Sequence, residues 1–165
     1  MSDILDTSAR ETLARFAAKT LSPVEYMQAL IARVDASEPK VGALYAYEPE
    51  RSLAEAKASE ARYMAEAPNG LLDGMPVSIK ELFAVKGEPV PLGTAASELV
   101  PADADAPVTA RLREDGAIMF AKTTCPDYGM LTSGLSSFHQ LSRNPWKLSE
   151  NPGGSSSGSA AAGAA

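Results

Sequence analysis

The 165-residue sequence has few of the residues that build disulfide frameworks, metal centres and nucleic-acid surfaces. It contains one cysteine and one histidine, so an internal disulfide is impossible and a zinc site made of His and Cys ligands is excluded. Its 21 acidic residues outnumber its 15 basic ones, which gives a formal net charge of −6, and the basic residues are scattered. Because nucleic acids and anionic membranes bind basic faces, we expect neither as a partner.

Long apolar runs are also missing. No run reaches the roughly 20 residues that a membrane-spanning helix needs, and the start, Met1-Ser2-Asp3-Ile4, lacks the basic and apolar regions of a signal peptide. We therefore expect a cytoplasmic protein. Hydrophobic residues make up 45% of the chain and charged residues 22%, which is typical of a globular domain with its own core.

Helix signals fill the first third of the chain. Ser8 with Glu11, and Ser22-Pro23 with Glu25, have the spacing of capping boxes. Downstream, the pattern predicts a strand over Val41–Tyr47, a helix over Ser52–Ala65, a strand over Met75–Phe83, a helix from Asp105 to Gly116 and a buried strand over Ala117–Ala121. Helices and strands thus alternate, which predicts an α/β fold: a mixed β-sheet flanked by helices, with a helical N-terminal region. No repeat or linker marks a second domain.

Lys80 is the first candidate for chemistry. In the strand Met75–Phe83, alternation places Ser78 and Lys80 on one face. Burial there would disfavour the ammonium form and let the amine act as a general base, with Ser78 as a supporting hydrogen-bond partner. The strand alone favours the other interpretation, a lysine that extends to solvent.

The second candidate is the run Gly153-Gly154-Ser155-Ser156-Ser157-Gly158-Ser159. Such a run can be a flexible linker or a cradle for phosphate. The small residues of Ala160–Ala165 favour a loop that enters a helix, and a phosphate loop would carry a lysine that is missing here.

Taken together, these motifs resemble the amidase signature family. The run Leu72-Asp73-Gly74-Met75-Pro76-Val77-Ser78-Ile79-Lys80 is similar to that family's lysine strand, and Gly93-Thr94-Ala95-Ala96-Ser97 to the loop that follows it. Arg143-Asn144-Pro145-Trp146 and Pro152-Gly153-Gly154-Ser155-Ser156 resemble its serine loop. The resemblance extends from the Ser22-Pro23 helix to the last residue.

The resemblance implies a Ser-Ser-Lys triad in which Lys80 is the base and Ser155, on a cis peptide bond, is the bridging serine. It also implies supporting or substrate-lining roles for residues near the loop. For Met130 and Ser133, an ordinary Ser/Thr loop at the surface is an equally good interpretation. The residues concerned are Gly153, Gly154 and Ser156 in the loop itself, and Met130 and Ser133 before it.

In the family, the nucleophilic serine lies in a second glycine-rich motif, and that position falls beyond Ala165. The resemblance therefore implies that residues 1–165 are the N-terminal part of a single amidase domain, an incomplete amidase-signature fold that is inactive alone. Exposed strand edges would then favour self-association. No metal and no organic cofactor are implied.

The function implied is hydrolysis of carboxylic amides of small molecules through an acyl-enzyme. One alternative is the catalytic subunit of a glutamine-dependent transfer-RNA amidotransferase, although Glu81-Leu82 is more similar to stand-alone amidases. Another is a truncated, non-catalytic chain. Cys125 could be a thiol nucleophile, but nothing in the sequence places it beside His139, and we interpret both as structural.

Overall fold

The structure is a computed structural model and describes residues 4–165. The missing signal-peptide pattern concerns Met1–Asp3, which lie outside this range. The helices and strands are α1 (Ala9–Ala17), α2 (Pro23–Val41), β1 (Leu44–Tyr45), α3 (Pro49–Met64), β2 (Pro76–Lys80), α4 (Pro107–Glu114), β3 (Ile118–Thr123) and α5 (Ser157–Ala162).

The three strands form one mixed sheet in the order β1-β3-β2. β1 is antiparallel to β3, with Leu44 opposite Thr123. β2 runs parallel to β3, because Ile118 donates its N–H to the carbonyl of Met75 and Glu81 donates to Thr123 further along both strands. The mixed α/β class predicted from the sequence is confirmed.

The chain divides into two compact units. The first takes in the chain up to Asp35, Glu48–Val77 and Arg111–Phe120. The second takes in Ala36–Tyr47, Ser78–Ala110 and Ala121–Ala165. The second unit carries the end of the lysine strand and the whole serine loop.

The first unit has an aromatic core under its helices. Phe16, Leu21 and Tyr63 are buried together, and the rings of Phe16 and Tyr26 meet edge-on with centroids 5.9 Å apart. Edge-to-face contacts of this kind add to the free energy gained by burying the rings.

Both predicted helix starts in this unit are present. Ser8 accepts a hydrogen bond from the N–H of Glu11 at the start of α1. At α2, Ser22 Oγ accepts from the N–H of Val24, and Glu25 accepts from the N–H of Ser22. The capping signals were therefore sufficient to place both N-termini.

The first predicted strand is much shorter than expected. α2 continues through Pro39 and includes Val41, so the predicted Val41–Tyr47 strand is reduced to the two residues of β1. The Glu38 carboxylate accepts the N–H groups of Ala43 and Leu44. This side chain satisfies two backbone donors where the chain leaves the helix.

In the second unit, α5 packs against the end of β3. Gly158 donates its N–H to the carbonyl of Thr124, at 3.0 Å, and Ala161 is buried with Val41 and Ala43. This contact fixes the start of α5, two residues after Ser155. Of the helices in residues 4–165, none is both long enough and apolar enough to cross a bilayer.

Candidate active site

Lys80 and Ser155 meet although 75 positions separate them in the chain. Lys80 is the last residue of β2 and is half-buried. Its Nζ donates to Ser155 Oγ at 2.8 Å. The strand thus delivers an amine, and the loop before α5 delivers a hydroxyl, at a distance that permits proton transfer.

The serine loop has the backbone form that the resemblance implied. The Gly154–Ser155 peptide bond is cis, and Gly153 has a φ of 86°, in the left-handed region. Asn151 Oδ1 accepts the N–H of Gly153. The backbone here turns Ser155 towards the lysine.

Gly154 lies directly on the backbone of the preceding loop. A Cβ at this position would come within 2.6 Å of the Ser133 carbonyl oxygen and 2.9 Å of the Leu131 carbonyl oxygen. Of the predicted supporting residues, Ser133 therefore lies beside the serine loop. Its Oγ accepts, at 3.4 Å, from the N–H of Leu135.

Other predicted supporting residues are exposed. Ser78, Ser156 and Met130 face solvent, Met130 with 80% of its surface accessible. The hydrogen bond from Lys80 goes to Ser155, not to Ser78. Supporting roles for these three residues stay predictions.

Two other serines of the run, Ser157 and Ser159, have structural partners. Ser157 Oγ donates to the carbonyl of Thr124 in the buried interior, and Ser159 Oγ bonds to Thr123 Oγ1 at 2.7 Å. Their hydroxyls attach α5 to the end of β3. Ser155 is the serine of the run whose hydroxyl bonds to the lysine.

A buried cluster next to Lys80 was not anticipated. Glu81, fully buried, accepts from the Cys125 thiol at 3.1 Å and pairs with His139 Nε2 at 2.6 Å. Cys125 and His139 are thus brought to one carboxylate, which the sequence did not predict. Strand alternation could have indicated this cluster, because it places Glu81 on the same face as the buried Ile79, and a buried carboxylate requires hydrogen-bond partners.

Cys125 and the neighbouring Lys122 have shifted pKa values. Burial raises the pKa of the Cys125 thiol to about 12, and the hydrogen bond to Glu81 adds to the rise. Burial lowers the pKa of the Lys122 ammonium, while Glu88 and Glu81 offset part of the effect. Lys122 Nζ donates to the Pro89 carbonyl at 2.8 Å. A thiol with this pKa is protonated at neutral pH and is a poor nucleophile.

Residues 4–165 contain no grouping of three or more His, Cys, Asp or Glu side chains that could hold a metal ion. The chemistry on offer is that of a lysine and a serine in contact. A neutral amine in this position accepts the proton of the hydroxyl that it contacts, which is how an adjacent base activates a serine.

Comparisons with known proteins identify the family. The family described as Amidase matches residues 25–165. The chain therefore belongs to the amidase family.

Solved structures of amidases share the fold. One described as fatty acid amide hydrolase superposes with a TM-score of 0.90 at 26% identity, over 96% of this chain and 28% of that one. Native peptide amidase from Stenotrophomonas maltophilia superposes with a TM-score of 0.86 at 28% identity, over 95% of this chain and 34% of that one. The amidase-signature fold expected from the sequence is confirmed.

Curated relatives include the A-subunit of glutamyl-tRNA(Gln) amidotransferase from Anaeromyxobacter dehalogenans, which is 40% identical over 156 residues. The match covers 94% of this chain and 32% of that protein. The chain thus spans about a third of the length of the curated relatives it matches.

Proposed function

We propose that the protein takes part in cleaving carboxylic amide C–N bonds through an acyl-enzyme, with Lys80 as the base and Ser155 as the bridging serine. The observation that carries this proposal is the 2.8 Å hydrogen bond from Lys80 Nζ to Ser155 Oγ in a member of the amidase family. Residues 1–165 supply the base and the bridge as the N-terminal part of one amidase domain.

The proposed relay consists of two coupled proton transfers. Neutral Lys80 takes the Ser155 hydroxyl proton while Ser155 takes the proton of a nucleophilic serine, whose oxygen attacks the amide carbonyl. When the C–N bond breaks, the leaving nitrogen takes up a proton through the same groups. Water then attacks the carbonyl of the acyl-enzyme and gives a proton to the same relay. The nucleophilic serine regains a proton as the acid leaves.

We assign the nucleophile to none of the serines in the loop. Ser157 and Ser159 are engaged with the end of β3, and Ser156 is exposed at the start of α5. From the resemblance, we expect the nucleophile in a second glycine-rich motif outside these residues.

A second candidate is a role in transamidation. Its support is the 40% identity to the glutamyl-tRNA(Gln) amidotransferase chain, which exceeds the 26% and 28% identity to the two amidases of known structure described above. Both functions need the same cleavage of an amide, so Lys80 and Ser155 would keep their roles. Ammonia release from simple amides without a second protein or RNA favours the hydrolase, whereas dependence on both favours transamidation.

The proposal predicts a distinct pattern of labelling by a fluorophosphonate probe, which marks activated serines. We expect the 165-residue chain alone to stay unlabelled. Joined to any sequence that follows it in the gene and carries a second Gly-Gly-Ser motif, it should label, and Lys80→Ala should slow labelling by about 10²-fold or more.

The matched control is Lys147→Ala, which removes an exposed lysine whose partner is Glu150. It should label at the normal rate. Undiminished labelling and turnover of both Lys80→Ala and Ser155→Ala would disprove the relay.

A further inference from the structure

The Glu81 carboxylate is the centre of a buried cluster that the relay does not use. The side chain is fully buried, and its two oxygens have different partners: Oε1 accepts from Cys125 and Oε2 pairs with His139. The His139 side chain is 6% exposed. A buried carboxylate with two partners is strongly held, because losing either partner would leave a polar group without a hydrogen bond.

This cluster is not a second nucleophilic site. In a thiol enzyme the imidazole contacts the thiol and takes its proton. Here the carboxylate lies between them, and the raised pKa of Cys125 keeps the sulfur protonated. The consequence of the cluster is therefore positional.

One end of the cluster is tied to the lysine strand. Glu81 follows Lys80 directly, and its N–H donates to the Thr123 carbonyl of β3 at 3.0 Å. Any displacement of Glu81 would move the backbone that carries Lys80.

The other end is tied to the loop under Ser155. His139 closes a turn in which Ser136 Oγ accepts the N–H groups of Phe138 and His139. The same loop presents the Ser133 and Leu131 carbonyls against which Gly154 packs. We call residues 131–139 the supporting segment.

We propose that Glu81 is a positioning residue that holds the supporting segment to the lysine strand and thereby keeps the Ser155 hydroxyl on the Lys80 amine. Its importance for catalysis rests on the proposed function. Its geometric effect does not, so it can be tested on the 165-residue chain without any turnover.

The test is the rate at which acetic anhydride acetylates individual lysines, measured by mass spectrometry. Ser155→Ala removes the acceptor of the Lys80 hydrogen bond, and we expect Lys80 to react about fivefold faster as a result. Glu81→Gln keeps the size of the side chain but replaces one carboxylate oxygen by an amide nitrogen. Its single oxygen can accept from Cys125, and its nitrogen can bond to His139 only if the imidazole Nε2 is the acceptor. We expect it to raise the Lys80 rate by a similar factor.

Three controls separate positioning from general loosening. Exposed Lys147 should react at one rate in all variants, and fully buried Lys122 should stay protected. In the double variant with Ser155→Ala, Glu81→Gln should add nothing further. His139→Gln, which leaves the carboxylate in place, should act in the same direction as Glu81→Gln.

An unchanged Lys80 rate in both Glu81→Gln and His139→Gln overturns the proposal. So does exposure of Lys122 in both variants, since the cluster would then stabilise the unit as a whole. If the chain extended by a second Gly-Gly-Ser motif is not labelled by the fluorophosphonate probe but the acetylation pattern holds, the proposed function is wrong and the positioning role stands.

Discussion

Gly158→Ala is expected to destabilise the chain by about 2 kcal/mol or more, although alanine is the better helix former by about 1 kcal/mol. Gly158 lies in α5, where a Cβ would come within 2.3 Å of the Ala43 carbonyl oxygen and 2.4 Å of the Thr124 nitrogen. Both are backbone atoms, so no side-chain rotation relieves the overlap. α5 must move away, which breaks the hydrogen bond from Gly158 to Thr124.

The same displacement should reach Ser155, which is two residues before α5. Urea unfolding measures the loss of stability, and faster acetylation of Lys80 measures the loss of its contact with Ser155. Gly163→Ala is the matched control at the end of α5, because its Cβ would lie 3.3 Å from the Ser159 carbonyl oxygen and its φ is −73°. If the two alanine variants are equally stable, close packing does not position α5.

Local rules were sufficient for much of the fold. Ser8 and Ser22 begin helices because their side chains satisfy backbone N–H groups within three residues, a relation that the sequence displays. Gly116 likewise predicted the end of α4, because glycine readily adopts the positive φ, here 88°, that is common just after a helix. The end of α2 was missed because the β-forming residues from Val41 onward predicted a strand, whereas the helix includes Val41.

The candidate site was predictable only in part. Alternation in β2 put Lys80 on one face, but nothing local pairs it with a serine 75 positions away, and that pairing came from a family resemblance. Glu81, Cys125 and His139 meet through tertiary packing alone. Single residues at such spacing leave no periodic pattern to recognise.

The other large effect is expected from Asp73→Asn in the first unit. The Asp73 carboxylate is fully buried and accepts from Arg62 Nε and from the N–H of Asn69, both at 2.8 Å. Arg62 is mostly covered, with 29% of its side chain exposed. Removing one partner of such a buried pair costs about 3 kcal/mol, since the other charge stays buried without compensation.

This cost should depend on pH in a defined direction. Burial by itself raises the pKa of Asp73, but the hydrogen bonds from Arg62 and Asn69 and the charge of Arg62 outweigh it, so the pKa lies below its ordinary value of 3.8. A carboxyl whose pKa is lower in the folded chain than in the unfolded chain stabilises the fold at pH values above its ordinary pKa. That stabilisation is lost as the pH falls through the lower, folded-state pKa.

Urea unfolding at neutral pH should therefore separate Asp73→Asn from the parent chain. The difference in stability should narrow as the pH falls below about 4, where the carboxyl of the unfolded chain takes up a proton, and should be smallest below the lower pKa of the folded chain. Asp103→Asn is the control, because Asp103 is exposed, and it should unfold like the parent at every pH. A gap of constant size across this range would mean that the carboxylate charge of Asp73 contributes nothing. The stabilisation would then come from the shape and hydrogen bonds that asparagine fails to reproduce.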